Sequence, residues 1–137
     1  MSAPEEFLQD LTSQTERYRV MTALGEQMVA LLLEDRLNDL PPLMERKSVI
    51  MREIQEIEAR LAPMRRNWAE IRARLAPEID QRASKVLLEA RSALEALVSV
   101  ENRAAALLER TRSAASSDLD NLLKKRRADD TYGNKPS

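Results

Sequence analysis

The chain has 137 residues, the size of one domain, with 22 basic and 23 acidic side chains and neither cysteine nor histidine. This composition excludes disulfides, thiolate nucleophiles, imidazole acid–base chemistry and the common zinc ligand sets. Two glycines form no phosphate-cradling loop, and a net charge of −1 lacks the basic excess of a nucleic-acid binder.

The opening stretch, MSAPEEFLQDL, is acidic and has neither the basic start nor the apolar core of a secretory signal. No apolar run is long enough to span a membrane. A chain without cysteine is compatible with a reducing compartment. Charge is graded along the sequence: residues 1–39 hold eight acids and three bases, residues 40–75 five and eight, and residues 76–127 eight and ten. An acidic first element is therefore expected to pack against more basic later ones, through surface pairs that salt weakens.

The first helix is expected over about residues 5–38. Ser2 is placed to cap it, Pro4 to open it, and Glu5 and Glu6 to face its dipole. Phe7, Leu8, Leu11, Tyr18, Met21, Leu24, Met28, Leu31 and Leu32 recur at helical spacing. Gly25 interrupts this stripe and admits two readings, close contact with a neighbouring helix or a hinge. NDLPPL ends the element, because two prolines in succession cannot lie in a helix interior. Asp39 is placed to cap the next helix, with Pro41 and Pro42 in its first turn.

A second helix is expected over 42–75. Leu43, Ile50, Ile57, Met64 and Ile71 recur every seven residues, and Ile54, Leu61, Trp68 and Leu75 form an offset series that only Lys47 breaks. These are the two apolar positions of a heptad seam. Pro63 lies inside it and predicts a kink near 59–62, or a split into two helices. The last helix is expected over 78–126, opened by Pro77 with Glu78 and Asp80 in its first turn. Ile79, Val86, Ala93, Val100, Leu107 and Ala114 form one sevenfold series there; Ala83, Ala90, Leu97, Ala104 and Thr111 form another. Leu87, Leu94, Leu108 and Leu122 widen the stripe beyond a two-helix seam, enough to touch a second helix or an external one. The stretch TRSAASSDLDNLL softens the pattern, and residues 128–137 read as a disordered tail.

The pattern predicts an all-α protein: an elongated antiparallel helical hairpin or coiled-coil bundle of about three helices, one domain over 1–127, with a disordered C-terminal tail. No catalytic residue, cofactor site or metal ligand set is expected, since no nucleophile has a base beside it. Lys124, Lys125, Arg126 and Arg127 admit phosphate or anionic-lipid contact, but Asp118, Asp120, Asp129 and Asp130 flank them, and a charged helix end accounts for them. Nucleic acid and stable membrane insertion are therefore not expected. What remains is recognition of another protein. The broad apolar stripe suits an amphipathic helix laid in a groove, with Leu107, Leu108, Leu119, Leu122 and Leu123 as candidate contacts. Tyr132 has nothing in a polar tail to pack on, and an isolated aromatic suits a weak docking anchor.

Three stretches carry a resemblance to the FlgN-like family of flagellar type III export chaperones. LLLEDRLNDLPPLMERKSVIMREIQEIEARL, residues 31–61, matches an early helix end followed by a "dLxxLxxxK" start, with Leu40, Leu43 and Lys47 in those places and Ile50, Ile54 and Ile57 following. The layout of a long hairpin with a serine- and alanine-rich C-terminal segment is similar. TYG places Tyr132 where the family has its tail tyrosine. The resemblance implies a cytosolic chaperone that binds the amphipathic C-terminal helix of flagellar hook–filament junction proteins and delivers them to the export gate. It would place the client at Leu119, Leu122 and Leu123 and gate docking at Tyr132. Pro41, Pro42 and Pro63 depart from that layout. The alternatives are a structural coiled coil that self-associates, as a homodimer or larger, through 43–75 and 79–115, or an accessory protein held at a membrane or nucleic acid by Lys124–Arg127.

Overall fold

The computed structural model describes the backbone of residues 2–133 and the side chains of residues 2–129. Among the described residues it is an elongated all-α bundle without strands: α1 (Ala3–Leu33), a 3-10 turn (Leu37–Asp39), α2 (Leu40–Arg66), α3 (Trp68–Arg72) and α4 (Pro77–Gly133). No helix among these residues is long and apolar enough to cross a membrane.

Ser2 caps α1 as expected, its hydroxyl accepting from the Glu5 amide at 3.3 Å. The helix stops at Leu33, five residues short of the expected end. Arg36 N–H bonds the Leu31 carbonyl at 2.9 Å and Asp35 N–H bonds that of Leu32 at 3.3 Å, while Asp35 takes φ 58°. This is the left-handed closure usual at helix ends, with aspartate where glycine is commonest. Asp39 does not cap α2 with its side chain. Its carboxylate instead accepts from Arg36 Nε at 2.9 Å. Pro41 and Pro42 do fall in the first turn of α2.

Helix α2 runs through Pro63 and ends at Arg66. Pro63 and Ala59 are both exposed, so the Ala59 carbonyl that loses its amide partner faces water. The break falls at Asn67 (φ −110°, ψ 13°), whose amide turns back to the Met64 carbonyl at 3.2 Å. Asparagine competes for its own backbone and is a poor interior residue. The expected second helix is thus two, and the separate α3 brings Trp68 onto Phe7, ring centroids 4.9 Å apart. The last helix passes the expected end at 126 and continues through Ala128 and Asp129 to Gly133. Each added residue closes one hydrogen bond on an existing helix, which is far easier than starting one.

α1 is the common neighbour, packing along both α2 and α4. It runs opposite to α2: Asp10 pairs with Arg60, Arg17 with Glu53, and Met28 lies at Lys47. It runs alongside α4 in the same direction, with Leu8 near Val86, Gly25 on Val100 and Leu32 near Leu107. The expected charge complementarity is mixed: Asp10 on α1 pairs with Arg60 on α2, but Arg17–Glu53 has the opposite sense. Two apolar clusters fill the interior. Phe7, Leu8, Leu11, Ile57, Leu61, Ala83 and Ala90 form the lower one. Tyr18, Met21, Leu24, Met28, Leu32, Leu43, Ile54, Leu97 and Ala104 belong to the upper.

Small residues on α4 let α1 come close, and at Gly25 the fit is tight. A Cβ there would stand 2.9 Å from Val100 Cγ1 and 3.2 Å from Glu101 Oε1. Of the two readings of this glycine, the packing supports contact. Gly25→Ala gains about 1 kcal/mol of helix propensity but incurs an overpacking penalty of about 1–3 kcal/mol against a stiff β-branched neighbour. A net loss of about 1 kcal/mol in urea unfolding is expected. In a Val100→Ala background the same substitution should become stabilising. An identical loss in both backgrounds would mean that the glycine serves some other purpose.

Candidate functional site

Two polar networks link the helices inside the bundle. Gln14 is fully buried on α1; its amide nitrogen donates to Glu58 at 2.9 Å and its oxygen accepts from Arg65 at 3.2 Å. Tyr18 stands by this group, and its phenol is raised above its ordinary value by burial first and by the Glu58 carboxylate second. Thr15, which interrupts the α1 stripe, is buried and donates to the Leu11 carbonyl at 2.8 Å. Higher up, Lys47 lies 2.9 Å from both carboxylate oxygens of Glu101 on α4 and 3.6 Å from the Met28 sulfur. Its alignment makes a hydrogen bond only to Oε2; Oε1 is buried and held by charge alone. The residue that breaks the heptad series is therefore the one that crosses the bundle. No group of acidic side chains among the described residues converges to hold a metal ion.

Single apolar side chains are exposed along the bundle, Leu88, Leu94 and Val98 on α4 and Met44, Val49 and Met51 on α2 among them, and a further uncovered apolar stretch lies at the far end of α4. α4 is far longer than α1, and the 3-10 turn and the end of α1 reach along it only to Ala114, Ala115 and Asp118. From residue 119 the helix projects alone, for about 22 Å at 1.5 Å per residue. Every described side chain in the projection is exposed.

The direction of its leucines follows from helical geometry. Eighteen residues make five whole turns. Leu122 stands eighteen residues beyond Ala104, so it points as that core residue does; Ala104 is 2% exposed and Leu122 64%. Leu119 is eighteen beyond Glu101 and thirty-six beyond Ala83, so it points toward the side on which Glu101 meets α2. At that level α2 has not begun. The core stripe of α4 thus continues past the helices that cover it. Leu123 flanks the stripe and is exposed as well.

The five sequence-derived contacts accordingly fall into two groups. Leu107 and Leu108 are half-buried and pack on the upper core. Leu119, Leu122 and Leu123 lie on the projecting end. Between them is an open groove of about 440 Å³ lined by Leu33, Leu37, Leu107, Thr111, Ala114 and Ala115, with Asp35, Arg110 and Asp118 also at its walls. Leu37 was missed from sequence, being a lone apolar residue in a polar connection; Leu33 lies off the α1 stripe and belongs to the surplus of apolar residues in MVALLL at the end of that helix. The side chain of Tyr132, the docking candidate, lies outside the described residues. No protein-family model, no curated protein and no solved structure matches this chain.

Proposed function

We propose that the protein binds and shields an amphipathic helix of another protein, and that it does so as an export chaperone for flagellar hook–filament junction proteins. The observation that carries the reading is the uncovered continuation of the α4 core stripe through Leu119 and Leu122. A helix laid there takes the place that α1 and α2 hold lower down, with Leu107, Leu108 and the Leu33–Leu37 groove continuing the seat. In this reading the bundle is a coiled-coil hairpin carrying α4, and the client completes its open end. Burial contributes roughly 25 cal/mol per Å² before ordering losses, so contact over a few turns is reversible. Tyr132 is the residue proposed to dock the loaded protein at the export gate.

The reading also draws on the resemblance over residues 31–61. Leu40, Leu43, Ile54 and Ile57 are core residues here and Lys47 is paired across the bundle. They support the shared architecture, and the client identity rests on the layout of the C-terminal segment. The test is affinity for a junction-protein C-terminal helix, compared between the native chain and a Leu119→Ala, Leu122→Ala, Leu123→Ala variant. A loss of tenfold or more with an unchanged unfolding midpoint is expected, and equal affinity removes these residues from the site. In the same series, Tyr132→Ala should bind client normally and lose capture by export-gate components.

A further inference from the structure

The leucines of the projecting end form a seam with spacings of four, three and four: Ala115, Leu119, Leu122 and the aliphatic stem of Arg126. One edge of that seam carries Asp118 and, seven residues later, Lys125. When two such seams lie antiparallel, Leu119 of one copy meets Leu122 of the other, and residues on this edge face their own counterparts. Asp118 then comes beside Lys125 of the second copy, and the twofold axis repeats the pair. Leu123 covers the other edge. A parallel arrangement sets Asp118 beside Leu123 and leaves the carboxylate without that cation.

We infer that, in the absence of a client, a second copy of this chain covers the α4 end by antiparallel pairing through Leu119 and Leu122, with Asp118–Lys125 pairs fixing the direction. The end of the second copy then runs back toward the groove at Leu33 and Leu37, which continues the same face. The seam is only a little over three turns long, so the interface lies at the small end of specific contacts and the dimer is concentration-dependent. The client reading enters only in the consequence: a client helix and the second copy compete for one face, so binding a client releases a monomer.

Sedimentation equilibrium of the full chain tests the pairing. At a few hundred micromolar, an order of magnitude suited to so small an interface, the native mass should approach twice 15.6 kDa. Leu122→Glu should remain monomeric with an unchanged unfolding midpoint. Asp118→Lys and Lys125→Asp should each be monomeric alone, since each sets like charges together. Mixed in equal amounts, the two should associate, because each then supplies what the other lacks. A native chain that stays monomeric, a Leu122→Glu chain that still dimerises, or a mixture that fails to associate overturns the pairing. Adding a synthetic amphipathic helix with leucines at every third and fourth position should dissociate the native dimer. A dimer indifferent to that peptide upholds the pairing and removes the client reading instead.

Discussion

Lys47→Ala is expected to lower stability in urea unfolding by about 2–3 kcal/mol, although it deletes a charged residue from a helix whose apolar pattern it interrupts. Breaking a buried pair by removing one partner commonly costs about 3–5 kcal/mol, because the other charge is left without compensation. Here the Lys47 side chain is 13% exposed and that of Glu101 35%, so water relieves part of the loss and the expected value falls at or below the bottom of that range. Glu101 Oε1 has no other partner to turn to. Lys47→Met with Glu101→Leu removes both charges and retains the volume, and should return stability to within about 1 kcal/mol of the native chain. The double-mutant cycle is the decisive measurement. Additive losses would show that the two side chains stand close without stabilising each other.

The pair also explains how three long helices with repetitive seams keep one arrangement. A heptad pattern alone tolerates shifts of seven residues, and a polar residue at a seam position is the usual device against them. Lys47 finds a carboxylate at one level of α4 only, where Gly25 also lets α1 approach Val100. The level at which α4 is fixed then decides how much of it projects. Polar matching in the middle of the bundle thereby sets the length of uncovered leucine face at its end.

Much of the architecture was legible in the sequence because it depends on local chemistry and on periods. Ser2 and Pro4 mark the start of α1, Pro41 and Pro42 open α2, and Pro77 opens α4. Both sevenfold series that run from Leu43 to Leu75, through α2 and α3, are buried or half-buried. What was not legible depends on relations between elements. Pro63 is the strongest breaker by residue type, yet the helix crosses it because its face is exposed, and breaks at Asn67 where Trp68 has Phe7 to stack on. Gln14 was unremarked as a polar residue in an apolar stripe; its burial follows from Glu58 and Arg65 on another helix. Leu119 and Leu122 were recognised as candidates by type and position. That they point along the buried face while lying beyond its cover follows only from where α1 and α2 end.

Leu61→Ala and Leu122→Ala make the same chemical change within the same kind of apolar pattern, and they should have opposite outcomes. Leu61 is 0% exposed and packs in the cluster of Phe7, Leu8, Leu11, Ile57, Ala83 and Ala90. Its truncation loses the transfer term and leaves a cavity between three helices, so about 3–4 kcal/mol should be lost in urea unfolding. Helix binding at the far end of α4 should be unaffected wherever the bundle remains folded. Leu122 has no neighbour from α1 or α2, and alanine is at least as good a helix former as leucine. Its truncation should change stability by less than about 0.5 kcal/mol, the range of surface substitutions. It should weaken both self-association and helix binding several-fold. A stability loss at Leu122 comparable to that at Leu61 would mean that α4 folds back on its own bundle in solution. The open face, and every function assigned to it, would then have to be abandoned.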